Sequence, residues 1–502
     1  MIDKNDADII QLIRLTGLRE KDLIQAKKSG GLSSDPIKQM IEEHDRLISW
    51  GEKHSRQKAI QDPIYGAILM DPWELDVIST DEMLRLRYVM QLGPAHIVYP
   101  GATHTRFQHC IGTNHLAQKS IRVVNYCDDL DNACFKPLSG LLDEYQKKIL
   151  RATALLHDVG HPPTSHTIEY AIEQWVGLDH LDLGKYLILN SGLADVLTQN
   201  DINPKDIVNI LSRQTNDPIL SLFSDFLDHP LDLDKTDYLI RDAYFSGVQL
   251  GVFPAERVML TNRVVRDGDG HYIRAFMLKA IHSLEALILS RNWMFADLYL
   301  HHAVKLAEAL LSKATYFRLE EEDFSKNECI GFFTRMTDAE LFQWLKASKI
   351  DFVREYVSRI RYRRLFKVAL IRPLVSFDED AKKRLLSMLE DIKLLIEAER
   401  ELFENPGSVV LDVVVPELGE KKLSKIPLLV GGERGFDVVP LDESKEGTPL
   451  LQALKQQTHT IPSVRVYCDP KIANDVRKRF DGIFPAHDLP SHREEEYDLT
   501  DY

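Results

Sequence analysis

The chain has 502 residues, with 62 Lys and Arg against 77 Asp and Glu, a formal net charge of −15. Its 44% apolar and 28% charged residues fit a folded globular chain of about two to four domains and exclude disorder as the main state. The net acidity excludes a protein coated in basic charge for nucleic acid or anionic membrane, though not a local basic pocket.

The N-terminal MIDKNDADIIQLIRL is charged from its third residue and does not read as a signal peptide. No run approaches the roughly 18 apolar residues of a membrane span. Five scattered cysteines (Cys110, Cys127, Cys134, Cys329 and Cys468) lack CxxC spacing, which argues against a disulfide framework or a thiolate zinc site. A reduced, cytoplasmic protein is expected. Residues 1–50 read as a polar N-terminal helical extension broken by SGGLSSDP at 29–36. Residues 51–315 read as one mostly helical domain. In KKILRATALLH at 147–157, Ile149, Leu150, Thr153, Ala154, Leu156 and His157 share a face at helical spacing. RVVRDGDGHYIR at 263–274 reads as a hairpin, and 275–314 as long helices. Residues 316–490 read as a C-terminal helical and α+β lobe. It is helical to about 370, ending in RIRYRRLFK at 359–367, and helical again from Pro373 to about 404. Strands are expected at 408–416, 426–432 and 463–469, with a closing helix at 473–484. Residues 491–502 form an acidic tail. The expected class is mainly α: a helical core with a smaller α+β lobe.

Half of the 18 histidines fall between His96 and His229. LLHDVGHPPTSH places His157, Asp158, His161 and His166 where an apolar helix runs out. PLDLDKTDYLIRD comes later with Asp232, Asp234, Asp237 and Asp242. Imidazole beside carboxylate suits Mg, Mn, Fe, Ni, Co or Zn rather than a thiolate metal, and no HExxH indicates a metalloprotease. Asp234, Tyr238 and Arg241/Asp242 are spaced to share one helix face, so Tyr238 and Asp242 would line the pocket that Asp234 faces.

The order H…HD…D resembles that of HD-domain metal-dependent phosphohydrolases. DPIYGAI at 62–68, RLRYVMQLG at 85–93, YPGATHTRFQHCIGT at 99–113, LLHDVGHPPTSH at 155–166 and LDLDKTDYLIRDAYFSG at 231–247 resemble the deoxynucleoside triphosphate triphosphohydrolase branch, which includes the SAM-and-HD-domain dNTPase and its bacterial relatives. The likeness runs over roughly 58–480 and makes residues 51–315 the HD catalytic domain. It implies that His109, His157, Asp158 and Asp234 ligate a divalent metal. It implies a proton-transfer layer of His161, Glu169 and His180, with Glu169 where the family usually has Asp, and places catalytic His166 close to the substrate phosphates, as a donor to phosphate oxygen or as an acid. Arg106, Lys235 and Arg291 match phosphate contacts; Gln91, Leu92, Tyr238 and Asp242 match contacts to the sugar 3′-hydroxyl. Tyr299 matches the aromatic residue that crowds the 2′ position and so selects deoxyribose.

The resemblance further implies a homo-oligomer, dimer or tetramer, with activating nucleotide at subunit contacts near Lys58, Arg87, Arg363 and Lys367. Ser79 and Leu84 stand where relatives place the Asp and Gln that read guanine, so activation by guanine nucleotide of the same kind is not expected. The implied reaction is dNTP plus water to deoxynucleoside plus triphosphate: water attacks the α-phosphorus and a histidine protonates the leaving 5′-oxygen. Control of the dNTP pool and antiviral dNTP depletion are both compatible purposes. Two rival readings remain: another HD phosphohydrolase acting on nucleotides, cyclic nucleotides or alarmones, and a nucleotide-sensing or single-strand-binding protein with a vestigial site. Tyr299 and LDLDKTDY weigh against the first, the complete ligand set and the net charge against the second.

Overall fold

The computed structural model describes residues 57–267, 269–415, 426–432, 435–444 and 462–486. The expected N-terminal extension and acidic tail lie outside them. The described chain opens with an antiparallel hairpin, β1 (Lys58–Asp62) and β2 (Gly66–Met70), which pairs Lys58 with Met70 and Asp62 with Gly66. Local chemistry sets its turn. Asp62 Oδ1 accepts from the amides of Ile64 (2.8 Å) and Tyr65 (3.0 Å), and Gly66 takes a φ of 73°.

A helical stretch comes next, interrupted by two short strands. Its elements are α1 (Pro72–Ile78), α2 (Asp81–Arg85), α3 (Arg106–Val123), β3 (Asn125–Cys127), β4 (Lys136–Pro137), α4 (Glu144–Leu156), α5 (His166–Val176), α6 (His180–Asn190), α7 (Gly192–Gln199), α8 (Pro204–Leu211), α9 (Pro218–Leu227), α10 (Leu233–Ser246) and α11 (Ala255–Thr261). Capping boxes start α3 (Thr105 with Gln108) and α4 (Asp143 with Gln146). Asp232 caps α10, accepting from the Lys235 amide at 2.7 Å, and Gly247 at φ 76° ends it. The predicted face of α4 is buried. Ala152 and Leu155 are buried too, so this helix is enclosed on more than one side. Gly112 marks the crossing of α3 and α10, since a Cβ there would lie 2.0 Å from Asp237 Oδ1.

The predicted hairpin is β5 (Asn262–Arg266) and β6 (Tyr272–Met277), antiparallel, with Val264 opposite Arg274. It takes in Ala275, Phe276 and Met277, which the sequence assigns to the start of a helix. Phe276 pairs with Asn262 and, in parallel, with Leu428, and this tertiary pairing overrides local helix preference. Then come α12 (Ile281–Met294), a π-helical turn at Phe295–Tyr299, α13 (His302–Glu322), α14 (Lys326–Phe333), α15 (Asp338–Lys346) and α16 (Asp351–Arg361).

A second difference lies at Lys367–Pro373. These residues, read as the end of a helical region, form strand β7. After α17 (Glu379–Ser387) and α18 (Ile392–Leu402) come β8 (Val409–Val414), β9 (Pro427–Gly432), β10 (Gly435–Pro440), β11 (Ser463–Cys468) and α19 (Ala473–Ile483). β8, β9, β11 and α19 fall where the sequence predicts them. One sheet runs β7-β11-β8, with a bulge at Val466/Tyr467; the other runs β10-β9-β6-β5-β3-β4. The largest apolar cluster gathers α3, α4 and α13. Another joins β7, β8 and β11 to α17, α18 and α19. The mainly helical class with a smaller α+β part is what the structure shows.

Candidate metal centre and nucleotide pocket

His109 projects from α3, His157 and Asp158 lie just past the end of α4, and Asp234 lies in the first turn of α10. His109 Nε2 is 2.9 Å from Asp234 Oδ1, 3.2 Å from His157 Nε2 and 3.5 Å from Asp158 Oδ2. His157 Nε2 lies 3.5 Å from Asp158 Oδ1 and 3.6 Å from Asp234 Oδ1. Side-chain exposure is 0% at His109 and 27% at Asp234, so the site opens on the Asp234 side. The structure thus brings the four expected ligands together.

The tautomers of the two imidazoles test whether a cation fits. His109 Nδ1 donates to Asp237 Oδ2 at 2.7 Å, and His157 Nδ1 to the Ala154 carbonyl at 2.9 Å. In the neutral rings both Nε2 lone pairs then point at the same space, where they repel unless a cation lies between them. Burial opposes charge on His109, yet Asp234 and Asp237 hold its pKa up at about 10. The same two carboxylates would stabilise a divalent cation at this place. The donor set of two imidazoles and two carboxylates fits a borderline or hard divalent ion.

Sequence reasoning left Asp237 and Arg241 without roles in this centre. Asp237 is fully buried and takes two bonds from Arg241, Nε to Oδ2 at 2.8 Å and Nη2 to Oδ1 at 3.0 Å. Arg241 Nη1 continues to Asp62 Oδ2 at 2.8 Å. Arg241 therefore turns away from the pocket face it was expected to share with Asp242. A chain His109–Asp237–Arg241–Asp62 fixes the imidazole from behind. The need for such a partner follows from the chemistry of a ligating histidine, whose other nitrogen must be held, but which carboxylate supplies it is set by the crossing of α3 and α10.

His161, His166, Glu169 and His180 also converge. His161 stacks on His180 at 4.1 Å between centroids and meets His166 edge-on at 4.5 Å. Its Nε2 lies 3.3 Å from Asp158 Oδ1. Glu169 Oε2 accepts from His166 Nδ1 at 2.7 Å, while Oε1 accepts from the His180 amide at 2.8 Å and from His180 Nδ1. The longer carboxylate therefore still orients His180. Burial would lower the His180 pKa, and Glu169 raises it above the ordinary value. Burial, Arg106 and His180 push His161 well below it, which favours the neutral ring.

Where the sequence places the sugar contacts, Asp242 is buried. Its Oδ1 is 2.8 Å from His104 Nε2, and its Oδ2 accepts from the Tyr299 hydroxyl at 2.5 Å. His104 received no role from the sequence. Tyr238 and Tyr299 meet edge-on at 6.3 Å, and the π-helical turn sets Tyr299 in place. The Arg291 guanidinium, 5.3 Å from the Phe295 ring, is near enough for its charge to act on both phenols. The Gln91 backbone N–H donates to the His104 carbonyl at 3.0 Å, and its buried side-chain Oε1 has no partner. Leu92 and Tyr299, both partly buried, pack against the same apolar cluster. Two of the expected phosphate contacts are engaged elsewhere. Arg106 Nη1 donates to Asp158 Oδ2 at 2.5 Å and Nε to Ser165 Oγ at 2.8 Å; Lys235 Nζ donates to Asp232 Oδ2 at 2.5 Å.

The four basic positions expected at subunit contacts are exposed. Arg87 lies 3.8 Å over the Phe107 ring, and Arg363 Nε donates to the Ile97 carbonyl at 2.9 Å. Arg363 and Lys367 both act on the His301–His302 pair, whereas Lys58 starts β1. Among the described residues, no helix is long and apolar enough to cross a membrane.

Comparisons with known proteins match two regions of the chain. Residues 106–242 match the HD domain, and residues 273–493 match the HD associated region. The chain is 27% identical to the uncharacterized protein MJ1154 of Methanocaldococcus jannaschii over 423 residues, covering 84% of this chain and 81% of that one. It is 24% identical over 476 residues to the deoxynucleoside triphosphate triphosphohydrolase SAMHD1 of Gallus gallus, covering 84% and 74%. The crystal structure of a hypothetical protein from Aquifex aeolicus matches with a TM-score of 0.63 at 26% identity, over 85% of this chain and 100% of that one.

Proposed function

Because the chain belongs to the HD-domain family of metal-dependent phosphohydrolases, we propose that it hydrolyses deoxynucleoside triphosphates to deoxynucleoside and triphosphate. The observation that carries this reading is the adjacency of two sites along α10. At its start Asp234 meets the two facing imidazoles, and two turns later Asp242 meets Tyr299. A phosphate-cleaving centre and a closed sugar pocket therefore share one helix.

His109, His157, Asp158 and Asp234 would hold the metal. When bound, it supplies Lewis acidity toward phosphoryl oxygen and lowers the pKa of a water. The chain's own residues do the rest. Asp242, with one oxygen facing His104 and the other Tyr299, orients a sugar hydroxyl together with the unpartnered Gln91 Oε1. The Tyr299 ring closes the 2′ side. His180, held by Glu169 with a raised pKa, keeps a proton for the leaving 5′-oxygen, and the His161 ring stacked on it fixes the plane of that imidazole. Activation by nucleotide between copies of the chain, at Lys58, Arg87, Arg363 and Lys367, belongs to the same reading.

The test is to incubate metal-loaded protein with each dNTP, singly and in pairs, and identify the products. Triphosphate and deoxynucleoside are expected. Release of phosphate or pyrophosphate instead would sink the reading in favour of another phosphohydrolase. A rate that appears only in pairs reveals the activator.

A further inference from the structure

The turn between α14 and α15 grips two site loops through charges of opposite sign. On one side Arg85 donates through Nη1 to the carbonyls of Met336 (3.2 Å) and Phe333 (3.5 Å). Its Nη2 donates to the carbonyls of His161 (2.7 Å) and Val159 (3.1 Å). On the other side Asp338 accepts the Met90 amide on Oδ2 at 3.0 Å and the Thr164 amide on Oδ1 at 2.7 Å. Each of these amides adjoins residues of the site. Met90 precedes Gln91 and Leu92 of the sugar pocket, and Thr164 precedes Ser165 and His166 of the histidine cluster.

The second loop is held in a conformation it would not choose. Thr164 has φ 57°, and Ser165 has φ 58° with ψ −130°, a region that residues with a side chain avoid. Such backbone persists only where its surroundings over-determine it. Here the constraints are the Asp338–Thr164 bond, the Ser165 Oγ bond to the Met90 carbonyl at 2.7 Å, and the Arg106 bond to Ser165. Both backbone groups of Met90 are thereby held, one by Asp338 and one by Ser165. Two converging amides need a group with two acceptors and no donor, which a carboxylate is and a carboxamide is not.

We propose that Asp338 is a positioning residue. With Arg85 it sets the register between the loop carrying Gln91 and Leu92 and the loop carrying Ser165 and His166, without touching substrate. The assignment rests on the functional reading above, because it takes those two loops as the sugar-binding and proton-transfer loops.

The test uses the full-length, metal-loaded protein and compares Asp338→Asn with Glu340→Ala. Glu340 completes the capping box of the same helix by bonding the Thr337 amide and hydroxyl, both at 2.7 Å, and touches neither loop. Asp338→Asn is expected to lower kcat about 100-fold through misplacement of the two loops, with metal content unchanged. Hydrogen exchange at the Met90 and Thr164 amides is expected to accelerate. Glu340→Ala, which only loosens the helix start, is expected to keep kcat and both protections. The proposal is overturned if Glu340→Ala reproduces the loss, or if Asp338→Asn leaves kcat or both amides unchanged. Rapid exchange of Met90 and Thr164 in the wild-type protein overturns it without any variant. If wild-type protein releases no triphosphate, the functional reading falls alone; the exchange arm still judges the clamp, and kcat is then read on whichever phosphoester the protein does cleave.

Discussion

Replacing Asp237 by asparagine probes the centre from behind. The carboxylate is wholly buried, holds His109 Nδ1 at 2.7 Å and carries a two-point bond with Arg241. The carboxamide of Asp237→Asn is nearly the same size but neutral, and cannot accept from both partners as strongly. Two losses result. Breaking a buried ion pair costs about 3–5 kcal/mol. Because Arg241 keeps Asp62 at 2.8 Å, the lower end, about 3 kcal/mol, is expected. Loss of the carboxylate behind a ligating histidine weakens metal binding by about 10–100-fold, or about 1.4–2.7 kcal/mol. Asp62→Asn separates the two effects. It damages the same arginine and lowers stability similarly, but leaves the bond to His109 in place. Denaturant melts of metal-free protein give the first quantity, and competition against a chelator gives the second. The reasoning is refuted if both variants lose metal to the same extent, since Asp237 would then act only through the fold.

Asp234→Ala should abolish metal retention and turnover while leaving the metal-free protein folded; elemental analysis and circular dichroism check this, and full turnover in the variant would move the centre. Tyr299→Ala should reduce the preference for dGTP over GTP by about 10- to 100-fold in kcat/KM, whereas Tyr299→Phe should keep the steric part and lose the Asp242 bond; unchanged selectivity in Tyr299→Ala places discrimination elsewhere. Burial raises the Asp338 pKa to about 6, against the Met90 and Thr164 amides and the charges of Arg85 and Arg106. A folded-state pKa above the unfolded value means that this group's contribution is complete below about pH 4 and is lost as pH rises through about 6, about 3 kcal/mol in all. Asp338→Asn lacks this titration. Urea melts at about pH 4.5 and pH 7.5 should therefore show the stability gap between wild type and variant narrowing as pH rises; a constant gap refutes the assignment.

What could be read in advance divides along local and non-local lines. The hairpin at 263–274 was legible because DGDG and its β-branched flanks sit within one short window. Strand β7 was not, because it comes after the amphipathic α16 and is defined by β11, almost a hundred residues later. The hairpin of β1 and β2 passed unseen for the opposite reason: its turn chemistry, Asp62 and Gly66, lay in view, but KAIQD lacks the β-branched alternation that marks a strand. The same division runs through the site. Ligand identity tracks motif order, so His109, His157, Asp158 and Asp234 were named together. The partners of those ligands depend on which helices cross. Asp237 reaches His109 because Gly112 lets α10 approach α3, and no local pattern announces that crossing. His104, likewise, acquires its role only from Asp242.

The crossing pattern also changes how the acidity of the chain bears on its substrate. Arg106, Lys235 and Arg291 would make the pocket cationic if all three faced phosphate. Yet Arg106 is bound to Asp158 and Lys235 to Asp232, leaving Arg291 over a phenyl ring. Near the opening Asp234 is 27% exposed, so without a bound cation an incoming triphosphate meets a carboxylate offset only in part, by the His109 imidazole beside it and by Lys235, which Asp232 already engages. At a few ångströms in a partly buried site, like charges repel by several kcal/mol (about 4 at 4 Å). Metal is therefore expected to be needed for binding as well as for chemistry. Calorimetry with a non-hydrolysable dNTP analogue should show affinity falling by at least about 100-fold when the protein is stripped of metal, that is, by about 2.7 kcal/mol or more. Retention of affinity by the stripped protein would mean that Arg106 and Lys235 leave their carboxylates to meet the phosphates, and that the ion pairs seen here are a resting arrangement rather than the binding one.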